Sequence, residues 1–274
     1  MSLSFEALVE DYDAARPGYP TALYDALPPL AGRGVLEIGA GTGKQLPGLV
    51  DRGARVVSTD PGPRMLGRLA RSHPGAAVAV ARAEALPFGN SSFDGVCGAQ
   101  MWHWVDVPAA AAEAVRVLRP GGWLAVWWND HDPLDHDPHA NDPHDHDPHA
   151  NDPHDPHDPH DHAGPGQDWF ASRQDRLEAL VPGYTRGYRT RPYGAQLEAT
   201  GLFTSVTPWT GRWDQVTDPD TEERFLRSTS YVAALPAAER EGFLSADRRA
   251  LAAAFPTGRI VKSHVVRLWV ARRP

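Results

Sequence analysis

The ten residues VLEIGAGTGK (35–44) constrain the fold of this chain more than any other stretch. An apolar, strand-like run meets an acid, Glu37, and then three glycines at alternate positions, Gly39, Gly41 and Gly43. Glycine reaches positive φ without a Cβ clash and lets backbone approach a ligand closely. Three of them straight after a strand describe a loop that wraps a ligand at the edge of an open α/β sheet. The P-loop spacing fails, since Ile38 stands at its first glycine position and Gln45 follows Lys44. The dinucleotide spacing fails as well, because its third glycine comes one residue early, at Gly43. An acid in the loop repels a pyrophosphate and suits a ligand that carries an ammonium and a sulfonium. The competing reading is a tight strand-to-helix turn with no ligand.

Around the loop the chain alternates between two periodicities. VLEI (35–38), RVVSTD (55–60), AAVAVA (76–81), FDGVCGA (93–99) and WLAVWW (123–128) read as strands. GKQLPGLVDRG (43–53), PRMLGRLARSH (63–73) and VPAAAAEAVRVLRPGG (107–122), the last closed by a Pro-Gly-Gly turn, read as helices. Near-continuous apolar strands between helices predict a parallel sheet covered on both faces. Further helices are expected at 168–182, from Gly194 to an end at Gly201, and over most of 218–255, with strands at 203–209 and 259–273.

Composition narrows the classes. A chain of 274 residues, 41% hydrophobic and with nine tryptophans, has material for one large core or at most two small domains. The start, MSLSFEALVEDYD, has no basic segment leading into an apolar run, so no signal peptide is expected. No stretch reaches the roughly 20 apolar residues of a bilayer span. With a single cysteine, Cys97, read as a small buried hydrophobe, a reducing cytoplasm is the expected location. Only two lysines occur, Lys44 and Lys262, against many arginines, and this reads as bacterial codon usage rather than chemistry. The net charge of −8 is concentrated: residues 130–161 hold eleven of the 35 acids and no lysine or arginine. The remainder is slightly basic without a basic stripe, so neither a nucleic acid nor a membrane is an expected partner.

That acidic segment is its own region. Over 130–162 the chain repeats HDP and NDP units, HDPHANDPHD at 136–145 recurs at 146–155, and ten of the thirteen histidines fall here. Frequent prolines and the lack of hydrophobic periodicity predict a disordered insert. Two roles are open to it: a tolerated surface insertion, or weak binding of divalent zinc, nickel or copper.

Asp60 ends the second strand about 20 residues beyond the loop, where an acid can accept both hydroxyls of a ribose. An isolated aspartate before Pro-Gly is also a common helix N-cap, and the spacing from the glycines favours the ribose. The loop, Asp60, AEALPFGNSSFD (83–94) and LRPGG (118–122) together resemble the class I S-adenosylmethionine-dependent methyltransferases. The likeness is to the small-molecule subgroup (methyltransferase type 11) that contains the trans-aconitate and ubiquinone-pathway enzymes. It covers residues 35–128 and extends to YDAARPGYP (12–20), similar to that subgroup's lid, and to QMWHWVD (100–106).

This resemblance implies S-adenosylmethionine as cofactor, with Gly39, Ala40, Gly41 and Gly43 around its methionine part and Glu37 supporting the loop. Asp60 would hold the ribose, Pro61 and Met65 would pack near the adenine, and Gln100 would lie close to the sulfonium. Where the family has an acid before the Ala-Glu pair this chain has Arg82, which leaves the adenine contact to the Ala83 amide or to Glu84. His103 is the candidate base, and its competing role is packing beside Trp102 and Trp104. Tyr12, Arg16, Tyr19 and Trp104 are the candidate lid and substrate residues. No metal is implied.

The expected architecture is α/β: a Rossmann-like, seven-stranded, mostly parallel sheet with helices on both faces and helical additions at the N-terminus and in the C-terminal half. Residues 1–274 make one methyltransferase domain, with a lid (1–30), a cofactor-binding core (31–128), the insert (130–162) and a substrate side (163–274). The expected reaction is methyl transfer to a small organic acceptor, foremost to oxygen of a carboxylate or hydroxyl. The alternatives are carbon or nitrogen methylation, and a non-catalytic cofactor-binding protein whose histidine tract buffers metal. Trp169, Tyr184, Arg186, Tyr188, Arg189 and Arg191 suit either an anionic acceptor or an ordinary exposed surface.

Overall fold

The fifth strand decides the shape of this molecule, because it outruns its neighbours. The computed structural model describes residues 9–131, 165–181 and 192–274. Seven strands, β1 (Gly34–Ile38), β2 (Arg55–Asp60), β3 (Ala77–Val80), β4 (Phe93–Ala99), β5 (Leu118–His131), β6 (Ser205–Thr217) and β7 (Ile260–Arg272), form one sheet. Their order is β3-β2-β1-β4-β5-β7-β6. Pairing is parallel from β3 through β5 and antiparallel across β5–β7 and β7–β6. The order reverses between β1 and β4, so a crevice opens beyond their carboxyl ends, where open α/β sheets bind ligands.

Ala99, the last residue of β4, lies opposite Trp127, and β5 continues four residues further, to His131. That is about 13 Å at strand rise. Over this stretch β5 stays paired with β7, through His131 opposite His264, and β7 with β6, through Ile260 opposite Thr217. A three-stranded antiparallel wall therefore stands past the edge of the parallel sheet.

Ten helices lie among the described residues: α1 (Val9–Ala15), α2 (Thr21–Asp25), α3 (Leu46–Val50), α4 (Pro63–Ser72), α5 (Val107–Val117), α6 (Pro165–Leu180), α7 (Tyr193–Ala199), α8 (Pro219–Arg227), α9 (Ser230–Ala233) and α10 (Ala237–Ala254). The two-residue period of the strands sorts the core into two layers. Leu36, Ile38, Val96, Leu124, Val126 and Trp128 pack on one face of the sheet. Val35, Cys97, Trp123, Ala125, Trp127 and Leu268 pack on the other. A third cluster, Leu177, Leu226, Val232, Phe243 and Leu244, joins α6, α8, α9 and α10 into a helical cap. Helix α1 packs against α8 of that cap.

Several boundaries differ from the sequence expectation. The expected helix over 107–122 stops at Val117, because Leu118 is already extended (φ −70°, ψ 147°) and Pro120 donates no amide to continue a helix. The strand expected at 123–128 reaches His131 and so takes in the first residues of the expected insert. Pairing with β7 satisfies that backbone, and Asp130 meets Arg267 at 3.3 Å. The helix expected at 43–53 shrinks to α3, since Gly43 and Gly53 at its ends are both left-handed (φ +91° and +80°). The rest of the insert, 132–162, and Tyr184, Arg186, Tyr188, Arg189 and Arg191 lie outside the described residues. No described helix is long and apolar enough to cross a membrane.

Candidate active site

The loop after β1 is built from its buried end outward. Glu37 is fully buried at the centre of the sheet and accepts a 2.5 Å hydrogen bond on Oε2 from Ser58 Oγ on β2. Burial pushes its carboxyl up to about 7, against the pull of the Ser58 hydroxyl. Beyond it the backbone turns left-handed at Gly39 (φ +63°) and Gly41 (φ +56°). A Cβ at Gly39 would stand 2.7 Å from Met101 Cγ, so packing itself requires glycine there. At Gly41 a Cβ would meet nothing within 4 Å, and the residue lines an open cavity. Gly43 is bare for another reason: Leu69 of α4 approaches within 2.9 Å of where its Cβ would be.

Asp60, at the end of β2, accepts the Gly41 amide on Oδ2 (2.9 Å) and the Gly62 amide on Oδ1 (2.8 Å). A carboxylate oxygen carries two lone pairs, so a group of this kind can both hold a loop and accept ribose hydroxyls. Past β4, Gln100 is a non-glycine residue in the left-handed region (φ +55°), a conformation held only where the surroundings over-determine it. Its amide nitrogen bonds to Trp127 O (3.0 Å) and its Nε2 to Asn129 O (2.8 Å).

Loop and β4 end share one cavity of about 120 Å³, open to solvent. Gly39, Ala40, Gly41, Lys44, Gln100 and Asn129 line the sheet side. Arg16, Tyr19, Phe170, Arg173, Leu177, Phe225, Tyr231, Lys262 and His264 line the other. Helix α1 is tied down over the loop by Asp13, which pairs with Lys44 at 3.2 Å and Arg68 at 2.8 Å. Burial raises the Asp13 carboxyl, but Arg68, Thr42 and Lys44 more than offset this and hold it below the usual range.

The remaining sequence-predicted residues fall in different places. Met65 and Ala83 are buried, and Pro61 is exposed beside Asp60. Glu84 accepts the Asp106 amide (3.1 Å) and faces Arg82 at 3.4 Å, with the Arg82 side chain 72% exposed. His103 sits on a short 3-10 turn, Trp102–Trp104, its ring 4.7 Å from that of Trp104 and 6.2 Å from that of Trp128. Neither His103 nor Trp104 lines the cavity. Tyr12 lies on α1, with its side chain outside the described residues. Trp169 is buried, with the Arg173 guanidinium 3.9 Å over its ring.

Sequence reasoning missed Asn129, Arg173, Phe225, Lys262 and His264, all on the cavity. One signal was present: the two lysines of the chain, 218 positions apart, both line it. His264 Nε2 lies 2.9 Å from Gln215 Oε1, and its ring stacks on Trp213 with centroids 5.0 Å apart. Trp213 Nε1 in turn donates to Asn129 Oδ1 (2.8 Å), which ties the antiparallel wall to the residue that holds Gln100.

Sheet order, a switch-point crevice and a glycine loop with an acid at the end of β2 define a nucleoside-cofactor-binding enzyme fold of the Rossmann-like kind. Residues 36–126 match a family profile described as a methyltransferase domain. An uncharacterized methyltransferase of Mycobacterium tuberculosis is 48% identical over 132 residues, covering 48% of this chain and 54% of its own. An uncharacterized methyltransferase-like protein of Schizosaccharomyces pombe is 36% identical over 134 residues, 47% of this chain and 52% of its own. The chain thus spans about half the length of the curated relatives it matches. Among solved structures, a candidate type II methyltransferase from Anaeromyxobacter dehalogenans superposes with a TM-score of 0.62 at 25% identity, over 94% of this chain and 97% of that one. Over residues 36–126 the chain is thus similar to methyltransferase domains, and the whole sheet has the fold of the Anaeromyxobacter protein. The open space before Gly41 and the Asp60 carboxylate at the end of β2 fit S-adenosylmethionine, the cofactor that the resemblance implies.

Proposed function

We propose that this protein transfers a methyl group from S-adenosylmethionine to a small organic acceptor, foremost to an oxygen of a carboxylate or hydroxyl. The observation that carries this reading is the single cavity that joins the glycine loop to a wall of side chains from the C-terminal half. When bound, the cofactor supplies a methyl group already electrophilic on its sulfonium. The protein's part is to hold, align and dry. Gly39, Ala40 and Gly41 offer the backbone cradle, Asp60 the ribose contact, and Gln100 a rigid polar edge at the mouth of β4. Phe170, Leu177, Phe225 and Tyr231 exclude water from the acceptor side.

Residues 1–30 act as a lid over the core (31–128), latched by Asp13 to Lys44 and Arg68. The segment after the insert supplies the acceptor side. A carboxylate acceptor needs no base. For a hydroxyl acceptor, His264 is the imidazole on the cavity wall, in contact with Gln215. The test is a screen of small carboxylic acids and phenols with isotopically labelled methyl donor. Labelled ester or ether product is expected, and failure to bind the cofactor at millimolar concentration would sink the reading.

A further inference from the structure

The charged side chains of the cavity are of one sign. Its described lining includes Arg16, Lys44, Arg173 and Lys262, and no aspartate or glutamate. Lys44 pairs with Asp13, and Arg173 gives Nε and Nη2 to Asp247 (3.0 and 2.7 Å) and Nη1 to Glu222 (2.9 Å).

Lys262 differs. It is 5% exposed on β7, and its Nζ meets Glu222 Oε1 at 2.8 Å, the carboxylate whose other oxygen is taken by Arg173. An ammonium has three N–H donors, and this contact uses one. Asp247 is shared in the same way between Arg173 and Arg176. The cluster of Arg173, Arg176 and Lys262 against Glu222 and Asp247 thus has a cation in excess. Arg16 of the lid stands close by: its guanidinium lies 4.8 Å from the Phe225 ring centre, and Lys262 Nζ lies 4.7 Å from the same centre. Burial pushes the Lys262 ammonium down, and Arg173 and Arg16 push the same way against the pull of Glu222. An anion in the cavity relieves all of these costs, and a cationic acceptor adds to them.

We propose that Lys262, with Arg16 against the same Phe225 ring, anchors an anionic group of the acceptor, a carboxylate or a phosphate. Phe170, Leu177 and Phe225 beside it fit an acceptor with an apolar body behind that charge. This rests on the cavity being the acceptor site, but the anion contact is measurable without turnover.

The full chain, saturated with S-adenosylhomocysteine, is titrated with benzoate, phenyl phosphate and the neutral benzyl alcohol, and tryptophan fluorescence is followed. Wild type is expected to bind one of the two anions at least tenfold more tightly than benzyl alcohol, and the preferred anion names the group. Lys262→Met should remove that preference, Lys262→Arg should keep it within threefold, and Arg16→Gln should weaken it at least threefold. Affinity for S-adenosylhomocysteine should stay within threefold in every variant. Equal wild-type affinity for benzoate, phenyl phosphate and benzyl alcohol overturns the proposal, as does a Lys262→Met that keeps the preference. A tenfold loss of S-adenosylhomocysteine affinity in a folded Lys262→Met assigns the ammonium to the cofactor's own carboxylate and overturns it too. Should Lys262→Met not fold, the Lys262→Arg and Arg16→Gln titrations decide. Wild type that binds anions through Lys262 yet methylates no acceptor keeps the anchor and overturns only the methyl-transfer reading.

Discussion

The two sides of the cavity are built on opposite principles. The parallel side, β3-β2-β1-β4, positions its ligand groups through backbone: left-handed glycines, amides bonded to Asp60, and one strained glutamine. The antiparallel wall and helical cap position theirs through side chains, with Arg173, Glu222, Asp247 and Lys262 buried against each other. A backbone cradle suits a ligand common to a whole family, because it depends on chain path more than on residue identity. A side-chain wall suits one particular acceptor, since a single substitution rewrites it.

The contrast predicts where damage falls. Arg173→Met strips Glu222 and Asp247 of a shared buried partner, and breaking a buried ion pair in this way costs about 3–5 kcal/mol. Urea unfolding should show that loss. A loss under about 1 kcal/mol, the range of exposed pairs, would mean the cluster does not hold the cap.

Glu37 tests the other side through pH. Its native carboxyl is raised from 4.5 to about 7 by burial, so between these values the native state binds the extra proton. Stability is therefore fully present below the unfolded value and is lost as pH rises through 7, by about 3 kcal/mol. Thermal melts of Glu37→Gln from pH 5 to pH 8 should lack most of that decline. An unchanged slope would show that another group carries it.

The glycines separate packing from binding. Gly39→Ala combines a left-handed strain of about 1–2 kcal/mol with an overlap on Met101 that costs about as much again. Gly41→Ala carries only the strain, yet it should lower S-adenosylhomocysteine affinity at least tenfold by filling the open space. If calorimetry finds the same affinity for Gly41→Ala as for wild type, the cradle is elsewhere. The smallest effect belongs to His103→Ala, expected to change kcat/KM less than about threefold, under about 1 kcal/mol. A hundredfold drop would return His103 to the chemistry.

Legibility in the sequence followed the same divide. The bounds of β2 and β4 were readable to the residue, because each short run is set off by turn residues, Gly53 before and Pro61-Gly62 after β2, and Asn90-Ser91-Ser92 before β4. Asp60 and the three glycines were readable because their spacing is local. The end of β5 was not: Asn129, Asp130 and His131 look like the start of a polar repeat, and only the register with β7, more than 130 positions away, makes them strand. Lys262 was visible as one of two lysines and was read as codon usage, because nothing near it in the chain shows that Glu222 and Phe225 face it.

By itself, then, the sequence determined the parallel sheet and the glycine loop, since each depends on contacts within a few residues or one strand-helix-strand unit. The tertiary structure alone decided that β5 outruns the sheet, that Gly41 rather than Gly43 faces open space, and that Arg16, Phe225 and Lys262 meet on one wall. Those features arise from long-range pairing and helix packing, where the energy comes from neighbours distant in the chain and leaves no local periodicity to read.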